Sequence, residues 1–89
     1  MRSHVTRGFR DCFDALPEPL QRRARQAYRL FLRDPLHPGL RYKRVHPTLP
    51  IYSVRIGLHY RAIGTRAGDV MVWFWIGSHQ DYDRMLARM

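Results

Sequence analysis

Seven consecutive apolar residues, VMVWFWI at positions 70–76, constrain the fold of this chain more than any other stretch. They are rich in the β-branched and aromatic residues that favour strands. Because side chains alternate between the two faces of a strand, a strand that is apolar throughout needs a covering layer on each face. We therefore predict that this segment is an interior strand of a sheet.

The residues that precede most of the predicted strands show the apolar spacing of helices. Apolar residues recur at intervals of three and one, which predicts an amphipathic helix over 6–16. A second helix is predicted over 17–35, because prolines and Glu18 suit its first turn and Pro35 stops it. Its outer face carries a row of arginines that is typical of a solvated helix surface, and these are Arg22, Arg25, Arg29 and Arg33.

From residue 40 onwards the pattern alternates, as expected for strands joined by short turns. We expect one α+β domain over 1–89, with both helices on one face of a small antiparallel sheet. A short C-terminal helix is expected to start after Ser78, which suits an N-cap. The strands are predicted over 2–6, 40–45, 51–56, 59–64 and 70–76.

The charge of the chain indicates an anionic partner. Sixteen basic residues face seven acidic ones, giving a net charge of +9, and fifteen of the sixteen are arginines. Arginine stays charged at any relevant pH and binds phosphate or carboxylate through two parallel hydrogen bonds. The expected partner is a nucleic acid or an acidic protein, bound in a strongly salt-dependent way.

The sequence disfavours several classes of protein, namely membrane-spanning, secreted, disulfide-bonded and metal-binding proteins. No apolar run reaches the roughly 20 residues of a membrane span, and no signal peptide is evident. Cys12 is the only cysteine and is expected to be a small core residue. Without disulfides or metal-ligand spacing, we predict a protein of the reducing cytoplasm with no metal, no cofactor and no membrane association.

Two arginines flank a tight connection in YSVRIGLHYRAIG. If the loop has three residues, 57–59, Arg55 and Arg61 pair across the strands and point to the same face. A two-residue loop would send them to opposite faces. On one exposed face the two guanidiniums would form a clamp for a phosphate, or else a charged solvent face without a ligand.

His79 and Tyr82 follow the predicted interior strand and reach the same end of the sheet. A histidine titrates near neutrality and a tyrosine can stack on a base, so together with the arginines they suit metal-free RNA cleavage. The simpler interpretation of His79 is a structural residue after a strand. Lys43, Arg44 and His46, which lead into the sheet, are secondary candidates for binding substrate.

The chain resembles the RelE/ParE superfamily of bacterial type II toxin–antitoxin toxins over essentially its whole length. The resemblance rests on FRDCFDALPEPLQRRARQAYRLFLRDP, GLRYKRV, YSVRIGLHYRAIG and VWFWIGSHQDYDRML in this order. It implies a strongly twisted antiparallel sheet against two N-terminal helices. It also implies an mRNA endoribonuclease that acts at the ribosome and assembles with an acidic cognate antitoxin.

By the same resemblance, Arg61 and Arg55 stabilise the phosphate, His79 is the general acid, and Tyr82 stacks on or positions the substrate. The sequence departs from the family pattern in three ways. Ser53 stands where the ribosome-dependent prototype has a lysine, the spacing of Tyr82 from His79 differs from that in several members, and no acidic residue stands in the sheet as a general base. His46 or His79 would have to serve as that base.

Two alternatives remain. The ParE branch shares the fold, poisons DNA gyrase and lacks the nuclease residues. A basic module that only binds nucleic acid or a protein partner is the other. Retention of His79, Arg61 and Tyr82 favours the RelE branch.

Overall fold

The computed structural model describes all 89 residues as a five-stranded sheet with three α-helices. This confirms the α+β class, the two N-terminal helices and the short C-terminal helix. The elements in chain order are β1 (Arg2–Val5), α1 (Arg7–Asp14), α2 (Glu18–Arg33), a 3₁₀ turn (Pro38–Leu40), β2 (Lys43–Arg44), β3 (Ile51–Ile56), β4 (Tyr60–Ala67), β5 (Val70–Ser78) and α3 (His79–Ala87).

Local sequence explains where the helices begin. The Thr6 side chain accepts a hydrogen bond from the Phe9 amide and so caps α1, while Ser78 caps α3 through the Asp81 amide. Prolines at the start of α2 fit positions whose N–H groups have no helical partner. No helix of the protein is long and apolar enough to cross a membrane.

The strands lie in the order β1-β5-β4-β3-β2. Strand β5 has neighbours on both edges, so the prediction of an interior strand is confirmed, although β4 is the central one. Strand β1 pairs with β5 in parallel and is the one departure from the predicted antiparallel sheet. The predicted strand over 40–45 was too long, because a 3₁₀ turn and a left-handed Arg41 (φ 47°) precede β2.

A bulge between β4 and β5 interrupts the alternation of side chains along β5, and Trp73 and Ile76, three residues apart, both belong to the cluster on the helical face. The β4–β5 register shifts between Ile63 and Gly64, so that Ile63 pairs with Trp75 and Gly64 with Trp73. Gly64 is required here, since a Cβ would lie 2.8 Å from Trp73, Met71 and the Val72 carbonyl oxygen.

Each face of the sheet carries its own apolar cluster. The helical face, covered by α1 and α2, holds the larger cluster around Phe31, Met71 and Trp73. The opposite face holds a small cluster of Ile51, Ile63 and Tyr82 beneath α3. The sequence predicted a covering layer on each face of this strand but assigned helices to one face only, so the position of α3 on the second face is a finding of the structure.

The Tyr42 hydroxyl is buried without a hydrogen-bond partner. Its ring stacks on Tyr52 and meets the edge of Phe31. Burial raises the pKa of Tyr42 above 10.0, and the nearby Arg66 charge opposes this shift. The unfolded chain therefore releases this proton first, so the associated stability is complete below pH 10.0 and is lost as pH rises towards the folded-state pKa.

We expect Tyr42→Phe to retain or raise stability at neutral pH, because it removes an unpaired polar group. The variant should also lose less stability than the wild type between about pH 8 and about pH 11, since it removes a group that titrates differently in the two states. Urea unfolding of both proteins across this range measures the difference. Parallel pH profiles would contradict the assignment.

Candidate functional site

The β3–β4 hairpin fixes the two arginines predicted to act on phosphate. Arg55 pairs directly with Arg61, and Ile56 pairs with Tyr60, which leaves a three-residue loop over 57–59. Gly57 adopts a left-handed conformation with φ 61°, which favours glycine. The three-residue alternative is therefore correct, and both arginines point to the face opposite α1 and α2.

Both guanidiniums donate hydrogen bonds to backbone carbonyl groups of the β3–β4 hairpin. Arg55 Nε donates to the Gly57 carbonyl oxygen at 3.0 Å, and an Arg61 Nη donates to the Tyr60 carbonyl oxygen at 2.8 Å. No ion pair in the molecule involves either residue. Both guanidiniums thus keep N–H groups and a full charge for an external anion.

The electrostatics of Arg61 indicate a concentration of positive charge. Partial burial and repulsion from Arg55 lower the pKa of Arg61 from its usual value, and the Arg41 charge adds to this effect. Tyr82 and the Asp83 carboxylate oppose it. An arginine nevertheless stays protonated in proteins, so the repulsion is relieved when an anion binds.

Lys43 belongs to the same face. It pairs with Ser53 across β2 and β3, and Ser53 pairs with Ile63 across β3 and β4, which puts these side chains on the side of Arg55 and Arg61. Lys43 is exposed. We call the surface formed by Lys43, Arg55 and Arg61 the basic face. Its composition is consistent with the predicted contact between Lys43 and a phosphate.

Arg44 and His46 make hydrogen bonds within their own loop. The Arg44 guanidinium donates to the carbonyl oxygens of His46, Thr48 and Leu49 at 3.0–3.2 Å. His46 Nδ1 accepts from the amides of Thr48 and Leu49, and its Nε2 lies 3.3 Å from the Met89 carbonyl oxygen. The polar groups of both residues thus shape the loop over 46–50, and their role in binding substrate stays a prediction.

His79 is the first residue of α3 and lies beside the hairpin. Its amide donates to the His59 carbonyl oxygen at 2.7 Å, and its Nδ1 lies 3.2 Å from an Asp83 carboxylate oxygen. The side chain is 48% exposed, and Nε2 has no partner within the molecule. His79 is therefore anchored by its backbone and keeps one ring nitrogen open to solvent.

Tyr82 does not present a surface for stacking. The residue is only 7% exposed, and its hydroxyl shares a hydrogen bond of 3.2 Å with the buried Ser53 hydroxyl. Its ring packs with Ile51 and Ile63. In this conformation the side chain anchors α3 to the sheet, and the role of Tyr82 in stacking on or positioning the substrate stays a prediction.

Sequence reasoning missed two charged residues of this region. Arg41 is exposed, and its charge acts on Arg61. Asp83 contacts His79 and also acts on Arg61. The spacing of four residues between His79 and Asp83 was a usable signal, because such residues are neighbours on a helix. Arg41 had no comparable signal, since its position depends on a left-handed turn.

The family model described as a ParE-like toxin domain matches residues 18–84. The chain belongs to this ParE-like toxin domain family. No curated protein sequence gives a significant match.

Solved structures support the same fold. YafQ from E. coli strain BL21(DE3) superposes with a TM-score of 0.74 at 8% identity, covering 92% of this chain and 98% of YafQ. A chain of the RelB–RelE antitoxin–toxin complex from Methanococcus jannaschii superposes with a TM-score of 0.72 at 17% identity. The match covers 90% of this chain and 95% of that chain. A chain of the archaeal RelE–RelB complex from Pyrococcus horikoshii OT3 superposes with a TM-score of 0.69 at 17% identity. The match covers 88% of this chain and 93% of that chain.

The hydrogen bond between Tyr82 and Ser53 can be tested by a double-mutant cycle. We expect Tyr82→Phe to lower the free energy of unfolding by about 1 kcal/mol or somewhat more, because the partner hydroxyl stays buried. Ser53→Ala should cost less when made in the Tyr82→Phe background than in the wild type. Chemical unfolding of the four proteins provides the measurement.

Tyr60→Phe is the matched control, since the Tyr60 hydroxyl makes no hydrogen bond within the protein. It should change stability little. Additive effects of Tyr82→Phe and Ser53→Ala would refute the coupling.

Proposed function

We propose that this toxin is a metal-independent mRNA endoribonuclease that inhibits translation at the ribosome. The observation that carries the proposal is the pairing of Arg55 with Arg61 on one face, free of ion pairs, with the open imidazole of His79 at the same end of the sheet. Paired guanidiniums suit a phosphodiester, and an imidazole suits proton transfer at neutral pH.

The chemistry assigns a role to each group. The ribose 2′-oxygen attacks the adjacent phosphorus, the bond to the 5′-oxygen breaks, and a 2′,3′-cyclic phosphate forms. Arg55 and Arg61 stabilise the negative charge that develops on the phosphoryl oxygens. Since His46 is committed to its loop, His79 Nε2 takes the proton of the 2′-hydroxyl and delivers it to the leaving 5′-oxygen.

Substitution of the site should abolish toxicity while the protein stays folded. We expect His79→Ala to lower the RNA cleavage rate by about 10²- to 10⁴-fold, as for loss of a general acid–base group. Arg61→Ala should lower it by about 10²- to 10³-fold through lost charge stabilisation. Growth after induction, together with RNA end-mapping, reports both effects.

His4→Ala and Arg2→Ala are matched controls, because both residues are exposed on β1 at the edge of the sheet. They should remain toxic and cleave RNA normally. Full toxicity of folded His79→Ala and Arg61→Ala would exclude the catalytic assignment.

Inhibition of DNA gyrase is the second candidate function, and it is favoured by the ParE-like description of the matching family. In that case His79 has no chemical role. Induction should then produce DNA double-strand breaks with intact mRNA, and His79→Ala should remain toxic. A non-catalytic binding module would instead leave growth unchanged and bind nucleic acid in a salt-sensitive way.

We further propose that an acidic antitoxin binds the helical side of the toxin. A groove of about 360 Å³ opens between α1, α2 and the sheet, with an apolar floor that includes Phe31 and Trp73. Arg10, Arg25 and Arg29 are the charged residues of its lining. An amphipathic antitoxin segment with acidic flanks fits both features, and the RelE neighbours were solved in complexes with RelB.

A charge placed in the groove should block this complex. Ala27 lines the groove, so Ala27→Glu should weaken antitoxin binding by at least tenfold through an unpaired carboxylate in the interface. Gln26→Glu adds the same charge at the next, exposed position and should bind nearly as the wild type does. Titration of each purified toxin with its antitoxin measures the effect, and equal weakening by both variants would contradict the docking site.

A further inference from the structure

The contact between His79 and Asp83 differs from the side-chain ion pairs of the molecule. Glu18 with Arg22 and Asp81 with Arg84 are pairs between exposed residues whose side chains make no other polar contact. Asp83, by contrast, contacts the imidazole proposed to move the proton, and its charge also reaches Arg61 of the basic face.

This contact has a chemical consequence for the imidazole. An ionised carboxylate has only acceptor oxygens, so the Asp83 oxygen 3.2 Å from Nδ1 would repel a lone pair on that nitrogen and favours the neutral tautomer with the proton on Nδ1. The lone pair is then on Nε2, which makes no hydrogen bond within the protein. A neutral histidine in the other tautomer would offer RNA a donor instead of an acceptor.

Two further contacts restrict the imidazole. The His79 amide is held by the His59 carbonyl oxygen at 2.7 Å, which ties the start of α3 to the hairpin that carries both arginines. The His79 ring meets the Tyr82 ring edge-on, with centroids 5.5 Å apart, and Tyr82 is itself bound to Ser53. Asp83 is thus the one side chain in polar contact with the His79 ring, and it favours Nε2 as the nitrogen that carries the lone pair.

We propose that Asp83 is a positioning residue, which fixes the tautomer and orientation of His79 so that Nε2 can accept the proton of the ribose 2′-hydroxyl. The role of Asp83 in RNA cleavage depends on the nuclease function proposed above. Asp83 touches neither the RNA nor the moving proton, and its effect passes through His79.

The kinetic test uses Asp83→Asn with Asp81→Asn as its matched control, since both remove one exposed carboxylate from α3. Asp83→Asn should lower kcat for cleavage of an RNA oligonucleotide by about tenfold or more, without exceeding the effect of His79→Ala, and should leave KM unchanged or lower. Asp81→Asn should leave kcat within about twofold of the wild type.

A double mutant separates an action through His79 from an action through Arg61. In the His79→Ala background, Asp83→Asn should have no further effect on kcat. A further fall of the same size in that background would overturn the proposal and assign the Asp83 effect to Arg61. An unchanged kcat in Asp83→Asn alone would overturn it as well.

The tautomer provides a test that does not depend on nuclease activity. Two-bond ¹H–¹⁵N NMR spectra of the neutral His79 ring should show the proton on Nδ1 in the wild type and a loss of that preference in Asp83→Asn. A proton on Nε2 in the wild type would overturn the proposal whether or not the protein cleaves RNA. The expected tautomer in a protein without cleavage would reject the nuclease function and leave the role of Asp83 standing.

Discussion

The pairing of Arg55 with Arg61 is the constraint on which the functional interpretation depends. Like charges directly opposite each other in an antiparallel sheet destabilise it, by up to about 1 kcal/mol. No carboxylate forms an ion pair with either residue, and burial together with the Arg55 charge lowers the pKa of Arg61. A fold that retains such a repulsion at a rigid hairpin is suited to bind an anion there. A slip of one residue in this register would turn one arginine to the helical face and destroy the clamp.

The second determinant is the position of α3 on the sheet. Tyr82 lies against Ile51 and Ile63 and bonds to Ser53, so it holds the helix over the apolar half of the face that carries the arginines. The start of the helix is then beside the hairpin, which places His79 at the basic end. Ser53 is part of this arrangement, because its hydroxyl shares a hydrogen bond with the Tyr82 hydroxyl.

Much of this architecture follows from local patterns in the sequence. The alternation from residue 40 onwards and the helical spacing before it predicted the element order, and the caps at Thr6 and Ser78 are short-range interactions. The loop of three residues could be proposed but not decided, because both loop lengths suit the same residues. The parallel pairing of β1 and the bulge at Gly64 could not be predicted, since they depend on contacts between distant segments.

The site was predicted less completely for the same reason. Arg55, Arg61 and His79 follow from the hairpin and the end of β5. The burial of Tyr82 and the loop contacts of Arg44 and His46 are tertiary, and a polar side chain gives no sign in the sequence of whether it faces substrate or its own backbone. The contact between Asp83 and His79 could have been predicted from their spacing of four residues on a helix. Its relevance to the site becomes clear only from the position of His79 beside the hairpin.

The most direct test of the central claim is NMR mapping of a short RNA analogue that carries 2′-deoxyribose at the scissile position, which binds without being cleaved. The Nε–Hε resonances of Arg55 and Arg61 and the ring of His79 should shift on addition of the analogue, and the shifts should diminish with salt. Shifts confined to the outer face of α2, at Arg22 and Arg33, with Arg55, Arg61 and His79 unchanged, would contradict the claim that the paired arginines form the phosphate site.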